Sequence, residues 1–515
     1  MEVAFSIKKN REDLKKIEEK FKDNPSLDLA ERLVNLLMSG IFGEYYNENL
    51  ESFFVNYADR NKKLREDFKI LQPKKNKYLH VASQVYLHGG HTRILERWID
   101  ASNDTSEEHT VILLNQTNKG EIPDKLKEVV AFKKGSLIIL DPTKNIIQKA
   151  NELRDKAFEF GTIILHHHPQ DPIPLMAFGV EEFKRPIICF NHSGHTFWLG
   201  RNVVDHCIDI EKNQNTCTIE KRRIENTTLI NMPVDEVNKS NTKEETKNIR
   251  VELGVDKDAL IISTMASMYK FMPIQGISFT DTIAKILDNN SRAIFLGIGV
   301  TNTNEEWNKL INTYENRVFL LGAIPHDKIS RYLIETDLYI DSFPYNSWVS
   351  LIDAISIGKL PVLVLKTPVG YPNFLEGTKS VCNSPKELVE KAFILLDSKP
   401  EREDLFKEVY QIFQNKCSKE AFYEEIKKIY SKLEYQEKKL MKPKEEITNF
   451  DAYNFLFRSS SVIKIKEKGI KNLFQIKKYK EALYIKKVFF LFGVKVFEIR
   501  KSELKELAKD YNVLL

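Results

Sequence analysis

One repeated pattern limits what this chain can fold into: short apolar runs alternate with polar stretches of helical spacing, and the series starts twice. The first series opens at Tyr78-Leu-His-Val-Ala-Ser and continues with runs at 110–114, 136–140, 162–165 and 186–190. It closes at Asn231-Met-Pro-Val, and a polar linker occupies 235–250. The second series opens at Ala259-Leu-Ile-Ile-Ser-Thr and continues at 293–296, 318–321, 338–340 and 360–365. Strands that alternate with helices make parallel sheets covered on both faces, with ligands beyond the carboxyl ends of the strands. The pattern predicts an α/β chain of two Rossmann-like domains facing a cleft, 76–235 and 236–440, the second ending in helices over 384–436. Ahead of them, Leu27, Leu29, Leu33, Leu36 and Leu37 recur at helical spacing, which predicts a helical segment over 1–75.

Composition narrows the class. The chain has 515 residues, 42% hydrophobic and 29% charged, enough to bury large cores and remain soluble. A formal net charge of +5 excludes a whole-chain nucleic-acid surface. The charge is uneven, however: residues 464–501 hold twelve Lys and Arg against three Glu. The region 441–515 reads as a basic tail with a β-hairpin around Gly493, suited to peripheral contact with an anionic membrane. Cys189, Cys207, Cys217, Cys382 and Cys417 form no CxxC pair and fit free thiols in a reducing cytoplasm. The opening MEVAFSIKKNREDLKK lacks the apolar core of a signal peptide, and no apolar run nears the ~18 residues of a membrane span. These features predict a cytoplasmic protein.

Ten of the eleven histidines fall between His80 and His206, inside the first series. His88-Gly-Gly-His91, His166-His167-His168 and His192-Ser-Gly-His195 each come after a strand-like run, where such folds place ligand-binding loops. A neutral imidazole there can take a proton from an acceptor hydroxyl or donate to a phosphate oxygen. Zinc fits poorly. Consecutive side chains at 166–168 alternate faces, and His192 and His195 have no neighbouring Cys or carboxylate in a zinc pattern. Gly89-Gly90 precedes a helix expected from about residue 94; it lacks the third glycine of a dinucleotide fingerprint but would let an anion approach a helix N-terminus.

In the second series, Lys270 stands just past the first strand, where an ammonium can neutralise a diphosphate. The stretch from Asp341 through Asn346, Ser350, Asp353 and Gly358 to Pro361 reads as strand end, loop, short helix, glycine stop and next strand. Asn346 to Ser350 would form the helix entry, with free N–H groups pointing outward. Asp353 lies one turn inside, where a carboxylate can accept both hydroxyls of a ribose.

These motifs resemble the GT-B glycosyltransferases, especially the O-GlcNAc transferase family and bacterial surface-glycan and protein glycosyltransferases. The likeness covers the second series, about a third of the chain. Met268-Tyr-Lys270 with Pro273 is similar to the family's donor-site lysine motif, and the Asn346 to Pro361 stretch is similar to its nucleotide-sugar loop and helix. The resemblance implies a UDP-linked donor, with Lys270 and Ser350 at the diphosphate, Asp353 at the ribose, His326 on the wall of the base pocket and Asn346 also on the donor side. The family's His-Thr-Thr falls here on Trp348-Val349-Ser350, so only the last hydroxyl persists. On the acceptor side, His91-Thr-Arg resembles the loop from which the family presents a histidine to the cleft, and Phe190-Asn-His-Ser-Gly-His195 resembles a stretch in bacterial glycosyltransferases. Gly90, His166, His168 and His192 complete the expected acceptor side, with His91 or His195 as base. Retaining relatives carry two glutamates eight positions apart; here those places hold Tyr345 and Asp353, which implies inversion. The only DxD, Asp256-Lys-Asp258, precedes its strand, so no obligatory metal and no cofactor are expected. The partners implied are a nucleotide sugar, a protein or glycan acceptor and further copies of the chain, but no nucleic acid. Two rival readings remain: a GT-B subunit that binds acceptor for a partner transferase, and a GT-B epimerase.

Overall fold

A computed structural model describes residues 2–40, 42–87, 90–233, 249–273, 276–302, 304–325, 328–358, 360–367, 370–436, 446–448, 451 and 454. Three helices lead the chain: α1 (Glu2–Asp23), α2 (Leu27–Leu37) and α3 (Glu48–Arg60). The first sheet unit comprises β1 (Lys74–Ala82), α4 (Gly90–Ala101), β2 (Glu108–Leu113), α5 (Asp124–Phe132), β3 (Leu137–Ile139), α6 (Ile146–Ala157), β4 (Phe160–His166), α7 (Ile173–Phe178), β5 (Ile187–Phe190), β6 (His206–Asp209), α8 (Lys212–Glu220) and β7 (Thr227–Leu229). After α9 (Ile249–Glu252), the second comprises β8 (Leu260–Met265), α10 (Phe279–Asn289), β9 (Ala293–Ile298), α11 (Glu305–Thr313), β10 (Val318–Gly322), α12 (Ile329–Ile334), β11 (Leu338–Ile340), α13 (Trp348–Gly358), β12 (Val362–Leu365) and β13 (Val381–Cys382). Helices α14 (Pro385–Asp397), α15 (Lys399–Cys417) and α16 (Lys419–Lys432) close the described fold.

Both sheets are parallel. Their orders are β3-β2-β1-β4-β5-β6-β7 and β10-β9-β8-β11-β12-β13, so each reverses direction between its first and fourth strands. At such a switch point the loops part and leave a crevice at the carboxyl edge. Helices cover both faces of the sheets, so the central strands are buried throughout; all six residues of β8 and of β9 are buried. Helix starts carry side-chain caps, as where Ser278 accepts from the Asp281 N–H and Asn145 and Gln148 form a capping box.

The N-terminal segment does not stand alone. Leu33, Leu37 and Phe54 share a core with Leu79, Val81 and Ile163 of the first sheet. Nor does α16 stay with the second domain. It packs on α4, where Tyr430 stacks on Tyr78 at 4.4 Å and accepts a hydrogen bond from Trp98 Nε1 at 3.2 Å. One apolar core therefore runs from the second sheet through α4 to the inner face of the first. The basic segment 464–501 and its expected hairpin lie outside the described residues. Among those described, no helix is long and apolar enough to cross a membrane.

Candidate active site

The two carboxyl edges face each other across a cleft of about 720 Å³. From the first domain come Gly90, His91, Arg93, His192, His195 and Glu211; from the second, Lys270, Tyr345, Asn346, Ser347, Ser350 and Asp353.

On the second domain, the loops after β8 and β11 converge at the switch point. Lys270 Nζ donates to the Asn346 carbonyl at 2.8 Å. The Asn346 amide donates to Asp341 at 3.1 Å, and the Ser347 N–H donates to both Asp341 oxygens at 3.2 Å. Asp341 thus ties down the entry to α13. Burial lifts its pKa to about 6 against the pull of Lys270, and burial lowers that of Lys270 against Asp341 and Glu211. The Ser350 hydroxyl accepts from Ser347 at 2.9 Å in the first turn of α13. Ala323, Ile324 and Pro325 line the same cleft, while His326 lies outside the described residues.

Asp353 reaches the cleft in company. Arg93 Nη1 lies 2.6 Å from one of its oxygens, and Arg97 Nη2 lies 3.0 Å from the other. Both arginines stand on α4, so this buried aspartate, the one charged residue of α13, is neutralised by the opposite domain. A Cβ at Gly90 would sit 3.2 Å from Val349 Cγ2, so the glycine lets α4 approach α13 closely.

The structure corrects the start of α4: Gly90 and His91 belong to its first turn, where a loop and a helix from about residue 94 were expected. His91 Nε2 lies 2.9 Å from the Gln84 carbonyl, which can only accept. That nitrogen therefore carries the proton and Nδ1 is left as the basic one. Burial lowers the pKa of His91, opposed by this hydrogen bond, so the ring is neutral near pH 7. His192 stacks on His91 at 5.7 Å; burial, then its histidine neighbours, push its pKa far down. His195 meets Tyr345 edge-on at 5.8 Å across the domains.

The triplet after β4 divides. His168 lies behind His91, edge-on at 5.6 Å, and burial lowers its pKa to about 4. His167 Nε2 donates to the Leu199 carbonyl at 2.9 Å and braces that loop. His166, expected on the acceptor wall, is buried among the strands. Its Nε2 lies 3.1 Å from His80 Nδ1, His80 Nε2 lies 2.9 Å from His109 Nδ1, and His109 Nε2 lies 3.3 Å from Glu107. Burial lowers the pKa of all three imidazoles, so each is neutral with one N–H to donate toward Glu107. Burial works against the charge of Glu107, but hydrogen bonds from His109, Ser102 and Tyr423 outweigh it and hold the pKa below the usual value. This chain satisfies polar groups inside the first sheet, and the register of β1, β2 and β4 makes it.

Glu211 was not foreseen. It stands just after β6 and accepts from Trp348 Nε1 at 2.6 Å and from Gln214 at 3.2 Å. Burial raises its pKa to about 7, against the influence of Trp348 and Lys270. Its signal was weak because the four-residue strand before it, His-Cys-Ile-Asp, does not read as an apolar run.

Two Rossmann-like domains with their carboxyl edges across one cleft define the GT-B fold. Solved structures share it. The chain is similar to HepE of Anabaena in complex with UDP and glucose, at 14% identity and a TM-score of 0.52 over 69% of this chain and 99% of that one. It is similar to a glycosyltransferase from Rickettsia africae, at 13% identity and a TM-score of 0.53 over 70% and 98%. A third is an O-GlcNAc transferase of Thermobaculum terrenum, at 13% identity and a TM-score of 0.50 over 83% and 81%. No family model and no curated protein matches the chain.

Proposed function

We propose that the chain is a nucleotide-sugar-dependent glycosyltransferase that moves a hexosyl or N-acetylhexosaminyl group from a UDP-linked donor to a protein or surface-glycan acceptor. One arrangement carries the reading: Lys270, Ser350 and Asp353 gather at the switch point of the second sheet, and His91 lines the same cleft from the other domain with its tautomer set by Gln84. HepE of Anabaena, which shares the fold, was solved with UDP-glucose.

In the proposed step an acceptor hydroxyl attacks the anomeric carbon as the bond to the diphosphate breaks. His91 Nδ1 takes the hydroxyl proton, and the nucleoside diphosphate leaves with the bonding electrons. Lys270, the Ser350 hydroxyl and the N–H groups opening α13 meet the growing charge on the phosphates. His192 and His168 keep the base in a neutral, crowded setting, and His195 with Tyr345 bounds the acceptor side. An inverting, metal-independent course rests on Tyr345 standing where retaining relatives place a glutamate and on the lack of a DxD motif after a strand. The same reading puts the enzyme in the cytoplasm, with 464–501 able to dock on anionic lipid, a property that salt-dependent co-sedimentation of the full chain with anionic liposomes measures.

The test is direct. Incubation with a panel of UDP-, GDP- and dTDP-sugars should give nucleoside diphosphate release with UDP-sugars. Lys270→Ala should weaken UDP binding by more than tenfold, the loss of a charge-assisted contact of about 1.5–3 kcal/mol. Unchanged UDP affinity in that variant, measured by calorimetry, would refute the donor assignment. Donor binding with no turnover on any acceptor would favour the rival, a subunit that binds for a partner.

A further inference from the structure

We propose that Arg93 is a diphosphate-binding residue held in reserve by Asp353, and that the ribose of the donor releases it. The inference rests on the donor reading above and adds a residue from the opposite domain to it.

The argument starts from the helices. Gly90, Arg93 and Arg97 succeed one another at spacings of three and four, one stripe of α4. Val349 and Asp353 are four apart on α13. Gly90 abuts Val349, while Arg93 and Arg97 meet Asp353. The close backbone approach is at Gly90 and Val349, and the two arginine side chains reach Asp353 from there, so α4 and α13 meet at their N-terminal ends in the cleft. Each N-terminus presents free N–H groups and the positive end of its dipole. An anion seated over both lies about one helical turn, roughly 5.4 Å, from the Arg93 backbone, well within the reach of its side chain.

The charges point the same way. One carboxylate, Asp353, faces two guanidiniums. Arg97 is buried, whereas Arg93 is partly exposed and lines the cleft. When ribose hydroxyls occupy the Asp353 oxygen that Arg93 holds, Arg97 still neutralises the aspartate. Arg93 is then the one able to turn toward the phosphates, where its planar fork suits two oxygens. Donor binding thereby exchanges one ion pair for another at the moment the leaving group needs positive charge.

Calorimetry with UDP and with uridine, on wild type and Arg93→Ala, tests this. UDP affinity should fall at least tenfold, and uridine affinity should hold or rise, because the ribose no longer competes with Arg93 for Asp353. Arg93→Lys should recover part of the UDP affinity. The variants should fold, since the Arg97–Asp353 pair remains, and a thermal midpoint near wild type checks that. Equal losses for UDP and uridine would make Arg93 only a brace between the helices and overturn the proposal, as would unchanged UDP affinity. If wild type itself binds neither UDP nor uridine, the donor reading fails and the inference falls with it.

Discussion

The two sheets share a strand order but are finished differently at their carboxyl edges. The first ends in imidazoles: His91 and His192 line the cleft with His168 behind His91, and a buried chain of three more runs below them. The second ends in a lysine, a buried aspartate and the open N-terminus of an apolar helix, and no histidine of its own is among the described residues. Burial makes the first edge a set of neutral bases, able to take protons and hydrogen-bond hydroxyls. Fixed charge and aligned N–H groups give the second edge a local field suited to an anion. One scaffold thus carries two chemically different edges, with the chemistry assigned by the loop residues at each strand's carboxyl end.

His91→Ala should show the largest effect. A positioned base contributes about 10²–10⁴-fold, so turnover should fall by that range while UDP affinity stays within twofold. If affinity falls in step with turnover, the two edges do not divide the work as described. Full turnover would move the base to His195 or Glu211.

Asp353→Ala breaks the junction between the edges. It leaves Arg97 buried without its carboxylate, and removing one partner of a buried ion pair costs about 3–5 kcal/mol. Urea unfolding should register a loss in that range or somewhat below it, because Arg93 is partly exposed. A loss under about 1 kcal/mol would mean that the domains dock without this contact.

Mild acid should act on the histidine-rich edge first. Burial lowers the pKa of His80, His91, His109, His166, His167, His168, His192 and His206 from 6.5. The unfolded chain therefore gains protons that the folded chain refuses, and this stability is present above pH 6.5 and is lost as pH falls toward about 4. Glu51 and Glu211, raised to about 7, and Asp341, raised to about 6, act the other way, being protonated in the folded chain first. Eight imidazoles outweigh three carboxyls. Going from pH 7.5 to 6.5 should remove on the order of 1 kcal/mol, seen as a lower thermal midpoint with hydrogen exchange opening β1, β2 and β4 first. A midpoint that is flat or rises would reverse this balance.

Hydrophobic periodicity is local, and the features it determines by itself were legible. The apolar runs marked β1, β4, β8 and β9 and the twofold restart, hence two parallel sheets and a cleft between them. Lys270 and Ser350 could be placed at the cleft because the loops that carry them follow the runs that became β8 and β11. Short strands with polar residues were not legible: β6 and β7 are held by neighbours rather than by their own pattern, so Glu211 had no strand end to mark it. The helical state of Gly90 was also hidden, since glycine disfavours helices and only contact with Val349 makes its lack of a side chain useful. His166 carried the same signal as His91; the register of three strands turned one inward to His80 and left the other at the cleft. Asp353 and Arg93 stand 260 positions apart. The sequence offered Asp353 inside a helix and Arg93 in the loop before one. Only the docking of two separately coded domains could decide that they meet, because an ion pair depends on distance in space, which no spacing along the chain records.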